Sequence, residues 1–124
     1  MPATKVVLYQ ETGGRVPLLE WLAELPRKSR ANCIAQVLLL AQYGHELHRP
    51  AADYLRDGIY ELRVKTDHVQ YRVLYFFHGR EAVVLSHGII KRGGRVPLAE
   101  IDLAIRRKQA LFRDPDKHTS FEVI

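Results

Sequence analysis

Hydrophobic and polar positions alternate most clearly between residues 57 and 91, where three strand-like runs follow one another. The runs cover residues 57–65, 71–77 and 82–91, and each is rich in β-branched and aromatic side chains. Short segments typical of turns separate them. This pattern predicts three consecutive strands that form an antiparallel sheet.

The flanking segments carry a further strand and three helices. Thr4–Gln10 is β-branched and aromatic, which predicts a first strand. Apolar residues recur at helical spacing after Pro17, Pro26 and Pro97, and proline is well tolerated in a first helical turn. Gly44 is a suitable C-terminal stop for the second of these helices.

Two segments show no clear pattern. Residues 45–57 have weak periodicity and are predicted to form a loop, and residues 114–124 are predicted to form a loose polar tail. The predicted order is β-α-α-β-β-β-α in a single domain of residues 1–113. Strands grouped apart from helices indicate an α+β fold with a mainly antiparallel sheet.

Hairpin geometry predicts which side chains share a face. If Thr66-Asp67 and Gly79-Arg80 are the turns, the opposed pairs are Arg63 with Gln70, Glu61 with Arg72, Phe76 with Val83, Leu74 with Leu85, and Arg72 with His87. The other face of the first hairpin then holds only apolar and aromatic side chains, as a core face should. The last helix is expected to cover the apolar part of the charged face.

The charged end of that face is the candidate site. It carries Glu61, Arg63, Lys65, Arg72, His87 and Lys91. An arginine fork matches phosphate oxygens, and histidine exchanges protons near neutral pH. The alternative interpretation, an ordinary Glu61–Arg72 ion pair on a solvated sheet, stays open at this point.

Composition indicates the charge of a partner but not its chemical class. The net charge is +5 with a pI near 9.6, which favours an acidic partner. The single cysteine, Cys33, cannot form an internal disulfide, and no metal-type spacing of cysteine or histidine is present. Because the N-terminus lacks an apolar signal segment and no run is long enough to span a membrane, we expect a protein of the reducing cytoplasm.

One hexapeptide occurs twice. Residues 13–18, Gly-Gly-Arg-Val-Pro-Leu, recur letter for letter as residues 93–98. The favoured interpretation is a shared way to begin a helix, with flexible glycines, then proline and an acid in the first turn. A duplicated phosphate-binding turn around Arg15 and Arg95 is the alternative.

Four segments together resemble a known family. They are Leu55-x-x-Gly58-Ile-Tyr-Glu-Leu-Arg63, Tyr71-Arg72-Val-Leu-Tyr75, Gly88-Ile-Ile-Lys91-Arg92 and Pro97-x-x-Glu100-Ile-x-x-Ala104. The chain resembles the RelE/HigB-like toxins of type II toxin–antitoxin systems, most closely the phage-derived HigB branch. The resemblance implies a small RelE-like domain, mRNA cleavage that is usually ribosome-associated, and a cognate antitoxin that is often a helix-turn-helix protein.

The resemblance also implies roles for particular residues. Arg63 and Arg72 match strand arginines of the family, and Lys91 matches its first basic residue after the last strand. Arg92 and Ile89 depart from the pattern, because a second lysine and an aromatic residue are common at those positions.

These matches lead us to expect a metal-independent endoribonuclease without a cofactor. Arg63 and Arg72 would bind the phosphate and His87 would transfer protons, while the RNA backbone would be held by Lys65, Lys91 and Arg92. Two alternatives stay open: a ParE-like toxin that acts on gyrase without cutting RNA, and an inactive phage-derived interaction module.

Overall fold

The computed structural model describes residues 4–124, which form a six-stranded sheet with helices on both faces. The strands are β1 (Lys5–Tyr9), β2 (Ala52–Arg56), β3 (Ile59–Thr66), β4 (Val69–His78), β5 (Ala82–Lys91) and β6 (Thr119–Ser120). Their order across the sheet is β2-β3-β4-β5-β1-β6. The β1–β5 pair is parallel and the other described pairs are antiparallel, which confirms the predicted α+β class.

Prolines set the starts of the long helices, as predicted. The helices are α1 (Pro17–Glu24), α2 (Arg27–Tyr43), α3 (Leu98–Arg113) and the short α4 (Pro115–His118). Pro17 occupies the first turn of α1, and Pro26 and Pro97 immediately precede α2 and α3. Gly44 ends α2 at a positive φ of 54°, which glycine adopts without steric cost. None of the described helices has the length and apolar character needed to cross a membrane.

Two hydrophobic cores lie on opposite faces of the sheet. Helices α1 and α2 pack on one face, whose core includes Leu18, Leu40, Leu62, Val73, Tyr75 and Leu85. Helix α3 covers the other face, whose core includes Ile59, Leu74, Phe76, Val84, Ile101 and Leu111. Helix α3, which was predicted as the last helix, therefore covers Leu74 and Phe76 on the charged face, as expected.

The predicted register of the first hairpin was wrong by two residues. Thr66 pairs with Val69, so Asp67 and His68 form the turn. Asp67 has a φ of 57°, a conformation that aspartate tolerates and a β-branched threonine resists. A shift of two residues changes the partners and keeps the faces. Arg63 consequently lies directly opposite Arg72.

The second hairpin also departs from the predicted register. The observed pairs are Phe76 with Val84, Leu74 with His87 and Arg72 with Ile89. The loop between β4 and β5 has three residues, which turns Val83 and Leu85 to the α1–α2 side of the sheet. A register shift near Ser86 then returns His87 to the α3 side, because an extra residue in one strand reverses the alternation.

Two segments predicted to be irregular are structured. A 3₁₀ turn (Gly44–Glu46) overlaps the start of residues 45–57, which also contain the edge strand β2, and the predicted loose tail contains α4 and β6. His118 is buried in that tail, where its ring stacks on Tyr9 and its Nδ1 lies 2.8 Å from the carbonyl oxygen of Gln10. These contacts join distant parts of the chain, so local periodicity could not indicate them.

We expect Gly88→Ala to destabilise the protein by about 1–3 kcal/mol, the usual cost of overpacking a filled site. A Cβ at Gly88 would collide with the indole ring of Trp21, which packs edge-on against Tyr71. Denaturant unfolding measures the change. Gly94→Ala is the matched control, because a Cβ there meets nothing within 4 Å. Equal stabilities of the two variants would contradict the prediction.

Candidate functional site

A groove of about 600 Å³ opens between the β2–β3–β4 end of the sheet and the start of α3. Among the described residues, six cationic side chains line it: Arg49, Arg56, Arg63, Arg72, Lys91 and Arg95. Two carboxylates, Asp53 and Glu61, also line it. The excess of positive charge suits an anionic ligand.

The centre of the groove is a carboxylate shared by two arginines. Glu61 Oε2 accepts a hydrogen bond from Arg63 Nε at 2.7 Å and lies 3.6 Å from Arg72 Nε. Arg63 also reaches Asp53 through Nη2 at 3.3 Å. Asp53 and Glu61 oppose each other across β2 and β3, and the Arg63 guanidinium between them offsets their repulsion.

Arg72 is held more tightly than Arg63. Its side chain is 8% exposed, against 33% for Arg63. Its terminal nitrogens donate to the Tyr71 carbonyl and the Gln70 amide oxygen, both at 3.0 Å. Burial lowers the pKa of Arg72, while the charge of Glu61 raises it and that of Arg63 lowers it. The buried Nε has no hydrogen-bond partner, so one charged donor at the groove is left unsatisfied.

The loop between β5 and α3 supplies the opposite wall. Lys91 ends β5, and its Nζ donates to the Gly93 carbonyl at 2.8 Å. Arg95 follows in the same loop and is exposed, whereas Val96 beside it is buried in the α3-side core. Val96 thus anchors the loop and leaves the Arg95 side chain in solvent at the groove.

The structure brings together three of the six predicted site residues. Arg63, Arg72 and Lys91 line the groove, and His87, Lys65 and Arg92 are not part of its lining. Lys65 is exposed near a smaller cavity between β3 and α2, and Arg92 is exposed at the start of the β5–α3 loop.

His87 lies beneath α3 in a polar network of its own. Its Nδ1 is 2.8 Å from Ser86 Oγ, and its Nε2 is 3.1 Å from Glu100 Oε1 on α3. Arg107 of α3 donates to the Ser86 carbonyl at 3.3 Å and to Glu11 at 3.1 Å. Burial, followed by the charge of Arg107, lowers the pKa of His87, although Glu100 raises it. The geometry makes His87 a tether between β5 and the first turn of α3.

The lowered pKa of His87 predicts a loss of stability in acid. A group whose pKa is lower when folded stabilises the protein fully above its unfolded pKa of about 6.5 and loses that contribution as the pH falls through the folded-state pKa. We expect the free energy of unfolding to fall between pH 7.5 and 5, and to fall less in His87→Gln. His68→Gln, at an exposed turn residue, should keep the wild-type profile. Parallel profiles for all three proteins would contradict this assignment.

No group of three or more histidine, cysteine, aspartate or glutamate side chains in residues 4–124 is arranged to hold a metal ion. Cys33 is buried in the α1–α2 core, and burial raises the pKa of its thiol to about 11. A thiol with that pKa is protonated near neutral pH, so Cys33 acts as a packing residue.

A protein-family model described as Phage derived protein Gp49-like (DUF891) matches residues 20–109. The chain belongs to this family. Gp49-like proteins are in general a RelE/HigB-like family of type II toxins. No curated protein matches the chain. The match contains every residue that lines the groove of this Gp49-like protein, and it leaves out β1, α4 and β6.

Sequence reasoning missed several groove residues of this Gp49-like protein. Arg49, Asp53 and Arg56 lie in the segment that was predicted to be a loop, so no face could be assigned to them. Arg95 was visible in the repeated hexapeptide. The arginines of the two copies have different surroundings. Arg15 Nη2 donates a hydrogen bond to Glu20 Oε1 at 2.6 Å, whereas Arg95 lines the groove. The repeat therefore begins two helices and places an arginine at the groove in one copy alone.

Proposed function

We propose that this protein is the toxin of a type II toxin–antitoxin pair and that it cleaves mRNA as a metal-independent endoribonuclease in the cytoplasm. The observation that carries the proposal is the Arg63–Glu61–Arg72 cluster at the centre of a cationic groove. Family membership supports the toxin role, and the paired guanidinium groups support a phosphate as the group that is bound.

The proposed reaction uses the RNA's own nucleophile. The 2′-hydroxyl loses its proton and attacks the adjacent phosphorus, the bond from phosphorus to the 5′-oxygen breaks, and the leaving 5′-oxygen takes a proton from solvent water. The products are a 2′,3′-cyclic phosphate and a 5′-hydroxyl. Arg63 and Arg72 stabilise the negative charge that builds on the phosphoryl oxygens. The Nε of Arg72 has no hydrogen-bond partner but is buried, so Arg72 would have to shift toward the groove to donate from this atom to a phosphate.

Glu61 is the proposed proton acceptor. Its carboxylate is the group between the two arginines, so a phosphate bound by both would lie within its reach. His87 is the residue we expected for this role from the sequence. Because both of its ring nitrogens contact Ser86 and Glu100 outside the groove lining, we propose that it positions α3.

The remaining cations are proposed to hold the RNA backbone. Lys91 and Arg95 line the groove on the α3 side, while Lys65 and Arg92 would extend the path of the strand beyond it. Each phosphate contact adds to the salt dependence of binding. A helix-turn-helix antitoxin and the ribosome are the proposed partners, and the positive groove favours an acidic antitoxin segment.

Induction of the protein followed by mapping of transcript ends tests the proposal. We expect growth arrest with new 5′-hydroxyl ends inside mRNA, and the same ends from purified protein and ribosomes. DNA damage with intact transcripts would support gyrase as the target instead. Normal growth, with no cleavage in the presence of ribosomes, would support the interaction module.

A further inference from the structure

Tyr54 is a half-exposed aromatic residue whose ring is fixed in place. It lies in the edge strand β2 and remains 52% exposed. Its hydroxyl accepts a hydrogen bond from the backbone N–H of Gly58 at 3.1 Å. Its ring meets that of Tyr60, the residue opposite it in β3, edge-to-face with centroids 5.1 Å apart. Because the Tyr54 side chain is already held in place, binding of a ligand to its ring would cost little side-chain entropy.

A second cavity adjoins the cationic groove at this tyrosine. It has a volume of about 340 Å³, and its wall includes Leu47, Ala52 and the ring of Tyr60. Arg49, Asp53 and Tyr54 line both this cavity and the groove. The groove is therefore cationic, and the adjoining cavity is largely apolar and aromatic. The volume of this cavity falls in the range of about 300–1,000 Å³ that is usual for ligand sites.

The edge position of β2 makes the two spaces accessible to one ligand. Asp53 shares the groove face with Glu61, whereas Tyr54 lies beside Tyr60 on the opposite face of the sheet. No strand pairs with the outer side of β2 in the described sheet, so one ligand would pass from the groove to the cavity around this edge. A single-stranded nucleic acid carries both charged phosphates and flat apolar bases. The cationic groove suits the phosphates, and the adjoining apolar cavity suits a base.

The surroundings of Tyr54 favour a nucleobase over a protein surface. Arg49 and Arg56 line the groove together with Tyr54, and their side chains are 74% and 42% exposed. Both are ion-paired, Arg49 with Asp53 and Arg56 with Asp57. An aromatic ring among cations is typical of single-strand binding, where bases stack on rings and the backbone follows the positive charge. A protein-docking patch would instead continue into further exposed apolar side chains, and among the described residues that line this cavity only Tyr54 is a large exposed apolar one.

We propose that Tyr54 is a stacking platform for an unpaired base of RNA whose backbone phosphate lies in the groove beside Arg63. This inference rests on the proposed function and adds a base-binding site to it. Stacking of this kind accepts every base, because each base has an aromatic face. The site would position the strand and contribute little to sequence preference.

Binding of a short 2′-O-methyl RNA, which lacks the nucleophile and stays uncleaved, tests the site. The probe is one oligonucleotide and a set of copies that each carry a single abasic position. We expect Tyr54→Ala to weaken binding of the intact probe by about tenfold, and one abasic position to weaken wild-type binding by a similar factor. That abasic probe should bind Tyr54→Ala and the wild type equally, because the lost contact is the same.

Two variants separate stacking from other effects. Tyr54→Phe keeps the ring and should bind the intact probe like the wild type, even if loss of the hydroxyl contact with Gly58 lowers thermal stability. Tyr43→Ala removes a tyrosine of similar exposure, 46%, which lines neither cavity, and should have no effect. The salt dependence of binding should be unchanged in Tyr54→Ala, because stacking releases no counterions.

The outcomes distinguish this inference from the function on which it rests. If the wild type binds the probe with salt-dependent affinity and Tyr54→Ala binds equally well, the base site is wrong and the nuclease proposal survives. If the wild type does not bind the probe at all, the base site is overturned, and the cleavage assay with ribosomes decides the nuclease proposal separately. If Tyr54→Ala loses antitoxin binding and keeps RNA binding, the tyrosine belongs to a protein interface and the inference is overturned.

Discussion

Arg63→Ala is expected to lower the rate of RNA cleavage by about 10²–10³-fold, the usual cost of removing one preorganised donor to developing charge. Arg63 lines the groove and contacts the carboxylates of Glu61 and Asp53. Its side chain is only partly buried, so the fold should tolerate the truncation. Cleavage of a labelled transcript in the presence of ribosomes measures the rate, and relief of growth arrest should accompany the loss.

Two variants give this prediction its controls. Arg80→Ala removes the same charge from an exposed turn outside the groove, and it should cleave at the wild-type rate. Arg63→Lys keeps the charge and loses the guanidinium fork, so we expect an intermediate rate if bidentate phosphate binding matters. Full toxicity of a double variant that lacks both Arg63 and Arg72 would remove the proposed site.

Glu61→Ala is expected to destabilise the protein by about 3–5 kcal/mol, a large part of the total stability of a small domain. Glu61 and Arg72 are both buried, and the carboxylate offsets the charge of the guanidinium. Its removal leaves Arg72 charged beside the α3-side core without a counter-charge. Denaturant unfolding, followed by far-UV circular dichroism, measures the loss.

Replacing both partners should cost less than replacing one. Glu61→Leu with Arg72→Met substitutes apolar side chains for the buried pair, which is often nearly neutral for stability. We expect the double variant to be more stable than Glu61→Ala and to lack cleavage activity. If Glu61→Ala is as stable as the wild type, Arg72 is compensated by another group and the account of the cluster is incorrect.

Local patterns predicted the elements whose signals are contained in a few neighbouring residues. Alternation gave β1, β3, β4 and β5, and proline with helical spacing gave the starts of α1, α2 and α3. The same signals were too weak for β2, a short edge strand with charged and exposed side chains, and for α4 and β6. Those elements are held by partners far away in the chain, such as Tyr9 for His118.

The candidate site was predicted in part for a physical reason. Strand alternation has a period of two, so an error of two residues in the first turn left Arg63 and Arg72 on the same face. The error changed their partners, and the predicted Glu61–Arg72 opposition became Arg63–Arg72. The proton-transfer role given to His87 depended on the second hairpin, where the loop length and a bulge decide which group each side chain meets.

The sequence by itself determined the α+β class, the sheet face that carries Arg63, Arg72 and Lys91, and the helix that covers the apolar part of that face. These features follow from periodicity and from backbone preferences of single residues. Only the tertiary structure decided that the segment before β2 and the β5–α3 loop bring Arg49 and Arg95 to the same groove, and that His87 lies under α3. Such contacts join elements that are far apart in the sequence. They depend on how the whole chain packs, which local sequence patterns do not encode.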